Sequence, residues 1–116
     1  MNAAVETVIK ALGYVEIEPL DEGDESGSYL LAWRESEGEI ERVLVRSMST
    51  HNNVGIAKAR ALLKAMEIRR DCVGAYLITT SDFTFSCRKF ADDSDGRLAL
   101  VSGSELYRHL HILGQF

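Results

Sequence analysis

The sequence predicts an α/β fold, one mixed sheet flanked by helices in the order α-β-β-β-α-β-α-β-α. Three observations carry this reading. Apolar residues switch repeatedly between a spacing of three to four and a spacing of two. The second half runs strand–helix–strand–helix–strand, which favours parallel pairing. Turn signals at 21–27, 35–39, 49–53 and 92–96 separate the windows, and no Pro-rich or Ser/Gly-rich spacer interrupts them, so residues 1–116 are expected to form a single domain.

Taken in order, residues 3–12 place Val5, Val8, Ile9 and Leu12 on one helical stripe, and Gly13 is a natural stop. Residues 14–18 alternate as a short strand, which Pro19 is expected to end. Residues 28–33 and 41–47, rich in β-branched and aromatic side chains, read as two strands whose connection at Ser36, Glu37 and Gly38 is short enough for a hairpin. Residues 53–70 form the longest helical window. The apolar run 74–80 reads as a buried strand. Thr84 is a good N-cap for a brief helix reaching Ala91. Residues 97–101 give a last strand, and Ser102 with Glu105 three positions on forms a capping box for a helix to about Leu113.

Composition narrows the function. With 46% hydrophobic and 27% charged residues the chain has the balance of an ordinary globular protein. No apolar run approaches the roughly 20 residues of a spanning helix, so no membrane partner is expected. No secretory signal is visible, and two cysteines, Cys72 and Cys87, make neither a disulfide scaffold nor a metal-ligand spacing, so a cytoplasmic protein with free thiols is expected. A net charge of −5 argues against a generic nucleic-acid coat protein.

Charge is nonetheless uneven. Between positions 42 and 70 stand Arg42, Arg46, Lys58, Arg60, Lys64, Arg69 and Arg70 against the single acid Glu67, while Asp21, Glu22, Asp24 and Glu25 form an acidic knot read as a loop. The basic stretch is either an ordinary solvated face or a surface for duplex DNA, with Arg46, Lys58, Arg60 and Lys64 as the candidate phosphate contacts. On the long helix, Ile56, Ala59, Leu62, Leu63 and Met66 form the core stripe. A second stripe, Ala57, Ala61, Ala65 and Ile68, is small enough for close helix approach. It is covered either by the chain's own terminal helix or by a homodimer partner.

From Ser47 to Leu110 the chain resembles the catalytic domain of the Mrr family, the type IV, methylation-directed restriction endonucleases of the PD-(D/E)XK superfamily. The stretch Leu77-Ile78-Thr79-Thr80-Ser81-Asp82-Phe83-Thr84 followed by Cys87-Arg88-Lys89-Phe90-Ala91 is the most specific part. Val54-Gly55, Gly103, Glu105 and Leu106, and the opening Leu12-Gly13-Tyr14 add to it. The resemblance implies a restriction-endonuclease-like fold in which an aspartate on one strand and a Glu or Gln on the next hold Mg²⁺, a metal that demands oxygen ligands. It also implies a lysine two residues further on, which adds positive charge.

Carried onto this chain, the Gln-x-Lys falls on Leu44-Val45-Arg46 and the aspartate on or beside Tyr29. All three positions depart from the pattern. Leu44 has no oxygen, Tyr29 is a neutral phenol, and Arg46 keeps the charge without being interchangeable with lysine. The expectation is a non-catalytic, DNA-binding or scaffolding domain in a DNA-linked process such as defence or repair, with no metal or other cofactor. A protein-interaction module without nucleic acid is the alternative. A lesser one is a Mg-dependent DNA endonuclease with carboxylates relocated to Glu16 and Asp24. His109 and His111, two apart on a helix, share no face, and His51 sits in a turn. Cys87 reads as a buried structural thiol. No nucleophile elbow, phosphate loop or dinucleotide fingerprint occurs.

Overall fold

The computed structural model describes residues 2–24, 27–69 and 71–112, with the side chains of residues 2, 3, 21–24 and 112 also outside the description. The order is α1 (Asn2–Ala11), β1 (Glu16–Asp24), β2 (Gly27–Ser36), β3 (Glu39–Met48), α2 (Ile56–Arg69), β4 (Cys72–Thr79), α3 (Phe85–Asp92), β5 (Leu98–Val101) and α4 (Gly103–Ile112). The five strands form one sheet in the spatial order β1-β2-β3-β4-β5. This is the mixed, helix-flanked α/β architecture expected.

Local chemistry explains how each piece closes. Ser36 pairs with Glu39 across a two-residue turn whose central residues, Glu37 and Gly38, both have positive φ (53° and 82°). That is the turn whose twist suits an antiparallel hairpin, and glycine carries half of its backbone cost. β3, β4 and β5 then pair in parallel, with α2 and α3 as the crossovers. Thr84 caps α3 by accepting the Cys87 N–H at 3.2 Å. Ser102 Oγ accepts the Glu105 N–H at 3.4 Å and Glu105 Oε1 accepts the Ser102 N–H at 3.4 Å, completing the capping box of α4.

Two expectations are corrected. Pro19 does not end β1, which continues to Asp24 with Pro19 opposite Leu30. β1 is an edge strand, where a residue without an N–H forfeits no ladder bond if that side faces solvent. Asp21, Glu22 and Asp24 therefore lie in a strand rather than a loop, while Glu25 lies outside the described residues, as do Arg70 and Leu113.

The second correction concerns the small-residue stripe of α2. The apolar residues of α2 and α3 pack against Leu31, Leu44, Met48, Ala75 and Leu77 on one face of the sheet. Those of α1 and α4, including Val5, Val8, Leu106 and Leu110, pack against Leu30, Val43, Val45 and Ile78 on the other. The terminal helix thus has the whole sheet between itself and α2 and covers nothing there. Ala57 and Ala61 are exposed, Ile68 is 72% exposed, and only Ala65 is half-buried against the core.

Candidate functional site

The antiparallel register sets Tyr29 opposite Arg46 and, one row further, Leu31 opposite Leu44. A strand's period of two puts all four on the α2/α3 face. Leu44 is 1% exposed and part of the core; Arg46 is 4% exposed. The Arg46 guanidinium lies over the Tyr29 ring, 4.9 Å from its centroid. Leu20 on β1 and Leu77 on β4 continue that row on either side, so the charge sits in an apolar strip at the ends of β1 and β3 to β5.

These residues do not fit a divalent cation. Leu44 offers hydrocarbon, and Tyr29 turns its ring face to a guanidinium whose positive charge opposes a second cation beside it. Among the described residues no group of three or more His, Cys, Asp and Glu comes together in metal-holding geometry. Glu16 is exposed and pairs with Trp33, two rows from Tyr29, on the order of 13 Å along the strand. Asp24 pairs with Gly27 at the β1–β2 turn, and its side chain lies outside the described residues.

The basic candidates do not form one patch. Lys58, Arg60 and Lys64 are all exposed on α2. Arg60 points at α3, with its guanidinium 5.9 Å from the Phe90 ring centroid, and Glu67 on the same flank reaches Arg97 at 4.0 Å. Lys58 is two residues from Arg60, about 200° round the helix, and so lies on the flank toward β2 and Tyr29. Lys64 projects outward. Arg46 and Lys58 thus serve one side of α2 and Arg60 the other.

A polar rim that single-residue reasoning missed lies at the ends of β3 and β4, beyond Arg46. Ser81 Oγ donates to the Asn52 carbonyl at 2.7 Å and lies 2.9 Å from Thr79 Oγ1, and Thr80 Oγ1 donates to the Thr50 carbonyl at 3.2 Å. The strands approach so closely here that a Cβ on Gly27 would lie 1.7 Å from the Ser47 carbonyl oxygen. Asp82 accepts from the Phe83 N–H at 2.8 Å and pairs with Arg88; the backbone donor first, then Arg88, holds its carboxyl below the usual range. The run Thr79-Thr80-Ser81-Asp82 was its only signal in the sequence.

At the opposite end of the sheet, on the α1/α4 face, a second cluster had no sequence signal at all. Arg34 donates through Nε to Glu41 at 3.2 Å and through Nη1 to the Leu12 carbonyl at 3.0 Å, and lies 4.6 Å from the Tyr14 ring centroid. The Tyr14 hydroxyl meets that of Tyr76 at 3.3 Å; burial first, then that hydrogen bond, pushes the Tyr14 phenol far above its usual range. Both cysteines are buried, and burial raises Cys87 and pushes Cys72 up to about 11.

A family model described as restriction endonuclease, Mrr_cat, matches residues 1–110. The chain belongs to this family. Solved structures agree on the fold of this Mrr-family domain. The MspJI restriction endonuclease in complex with a 27-mer oligonucleotide superposes with a TM-score of 0.65 at 15% identity, covering 97% of this chain and 26% of that one. The DNA modification-dependent restriction endonuclease AspBHI gives 0.63 at 14% identity, covering 96% and 30%. EndoMS in apo form gives 0.53 at 15% identity, covering 87% and 45%. The Mrr-family domain thus spans under half the length of each. No curated protein matches. No helix among the described residues is long and apolar enough to cross a membrane.

Proposed function

We propose that this Mrr-family domain binds duplex DNA without cleaving it, as a non-catalytic member serving a DNA-linked process such as defence or repair in the cytoplasm. One observation carries the reading. Where the family resemblance assigns metal-holding oxygens, the chain has a buried leucine and a phenol roofed by Arg46. With Arg46 only 4% exposed, its part is to support the Tyr29 end of the sheet rather than to contact a phosphate directly. Lys58, the exposed Thr80 and the half-buried Ser81 are the groups positioned to meet the backbone.

A salt titration of duplex binding by fluorescence anisotropy tests this. Binding weakens as salt rises, and Lys58→Ala lowers the slope of log affinity against log salt by about one. Methylated and unmethylated plasmids stay intact with Mg²⁺. No binding at low salt overturns the reading, as does cleavage that is lost in Glu16→Ala or Asp24→Ala, which marks a nuclease with relocated carboxylates. The second reading, an interaction module without nucleic acid that dimerises through Ala57, Ala61 and Ala65, is favoured by the exposure of Ile68 beside that stripe and by the net acidity.

A further inference from the structure

The two edges of the sheet are treated differently. β1 carries the devices that discourage strand addition: Pro19, the exposed acids Glu16 and Glu18, and a register shift between Leu20 and Asp24. β5, Leu98-Ala99-Leu100-Val101, has no charge, no proline and no bulge. Its outer side is the floor of an open groove of about 270 Å³, walled by Arg88, Ala91 and Asp92 of α3 and by Glu105 of α4.

The ladder shows which backbone groups face that groove. The Ala75 N–H donates to the Arg97 carbonyl at 2.7 Å, and the alternation of a parallel pair then turns Ala99 and Val101 inward to β4. Leu98 and Leu100 are turned outward. The Leu98 N–H is taken by Ser94 Oγ at 3.0 Å, which leaves the Leu98 C=O and both the N–H and C=O of Leu100 directed toward the groove.

Charge on the α3 wall selects an occupant. Arg88 and Lys89 are followed one turn later by Asp92 and Asp93. Lys89 pairs with Asp93 within α3 at 3.7 Å and Arg88 reaches back to Asp82, whereas Asp92, an acid at the helix C-terminus, opposes the helix dipole and is the charge that an external base would relieve. An antiparallel twofold through Leu100 runs a second α3 in the reverse direction along the seam. It sets Arg88 of each copy opposite Asp92 of the other.

We propose that the β5 edge is a self-association surface on which two copies of this chain pair antiparallel at Leu100, with Arg88 and Asp92 matched across the seam. This goes beyond DNA binding and uses a different surface from the α2 stripe.

Sedimentation velocity over a range of concentrations tests it. The unmodified chain shows a monomer–dimer equilibrium. Arg88→Glu and Asp92→Arg each weaken the dimer by about tenfold or more, because like charges then meet twice across the twofold. Mixing the two variants restores association, since the mixed dimer regains both opposite-charge pairs. Leu100→Pro, which removes the outward N–H, abolishes the dimer while the circular dichroism is unchanged; if that variant misfolds, the mixing experiment decides. A chain that stays monomeric near millimolar concentration overturns the proposal. So does a mixture that associates no better than its components, or a dimer dissolved by Ile68→Glu and indifferent to the charge changes.

Discussion

Arg34 and Arg46 make the same contact, a guanidinium over a tyrosine ring at 4.6 and 4.9 Å, on opposite faces and toward opposite ends of one sheet. Their surroundings differ. Arg34 is a third exposed, holds the Glu41 carboxylate and fastens the Leu12 carbonyl at the end of α1 to β2. It is a clamp between α1 and β2. Arg46 is buried beside a core leucine, its guanidinium over Tyr29 at the end of the sheet where the hydroxyl-rich loops gather. A cation–π pair is therefore not a function in itself; its neighbours decide which parts of the molecule it serves.

The most severe way to break this comparison is to restore oxygen at position 44. Leu44→Gln places an amide in a fully buried site and costs about 2–5 kcal/mol in urea unfolding. Added Mg²⁺ leaves its midpoint unchanged; a rise would mean that Arg46 does not bar a metal.

Removing the two arginines gives the next effect. Arg34→Ala loses a cation–π contact and charge-assisted hydrogen bonds, about 1–3 kcal/mol in all, with duplex affinity unchanged. Arg46→Met keeps the volume, shifts stability by no more than about 1 kcal/mol in either direction, and weakens duplex binding. The reverse pattern would exchange the roles assigned to them.

Alkaline pH sharpens the Arg34 side. Tyr14 has its folded-state pKa raised, so above about pH 10 the unfolded chain releases a proton that the folded chain retains. Stability falls as pH rises through that range, and Tyr14→Phe flattens the fall in a pH series of thermal melts. The smallest effect belongs to a third pair, Arg88 over Phe83 at 5.7 Å, which is exposed and tied to Asp82. Asp82 has a lowered folded-state pKa, so its contribution is complete above the ordinary carboxylate range and fades as pH falls below about 4. Asp82→Asn removes that slight acid dependence and leaves melts at neutral pH nearly unchanged.

Much of the fold was legible because its signals are local. Thr84 and Ser102 with Glu105 announced the starts of α3 and α4, Glu37-Gly38 announced the hairpin, and alternation, β-branched and aromatic content or a short apolar run announced the strands. Less of the candidate site could be read. The family resemblance brought Tyr29, Leu44 and Arg46 to attention, but nothing local says that Arg46 is buried or that its ring partner is Tyr29, since both follow from register between strands. Arg60 and Lys58 looked equivalent in the sequence; the position of α3 separates them.

What the chain order determined alone is the succession of helices and strands, because periodicity, caps and turns act over a few residues. What the tertiary structure decided is which face each helix covers, that Pro19 lies within an edge strand, and which side chains meet. Tyr14 and Tyr76 are 62 residues apart, and Arg46 reaches Tyr29 across a strand pair. Such contacts exist only once the sheet has closed, because each is fixed by packing of the whole core rather than by the preferences of its own segment.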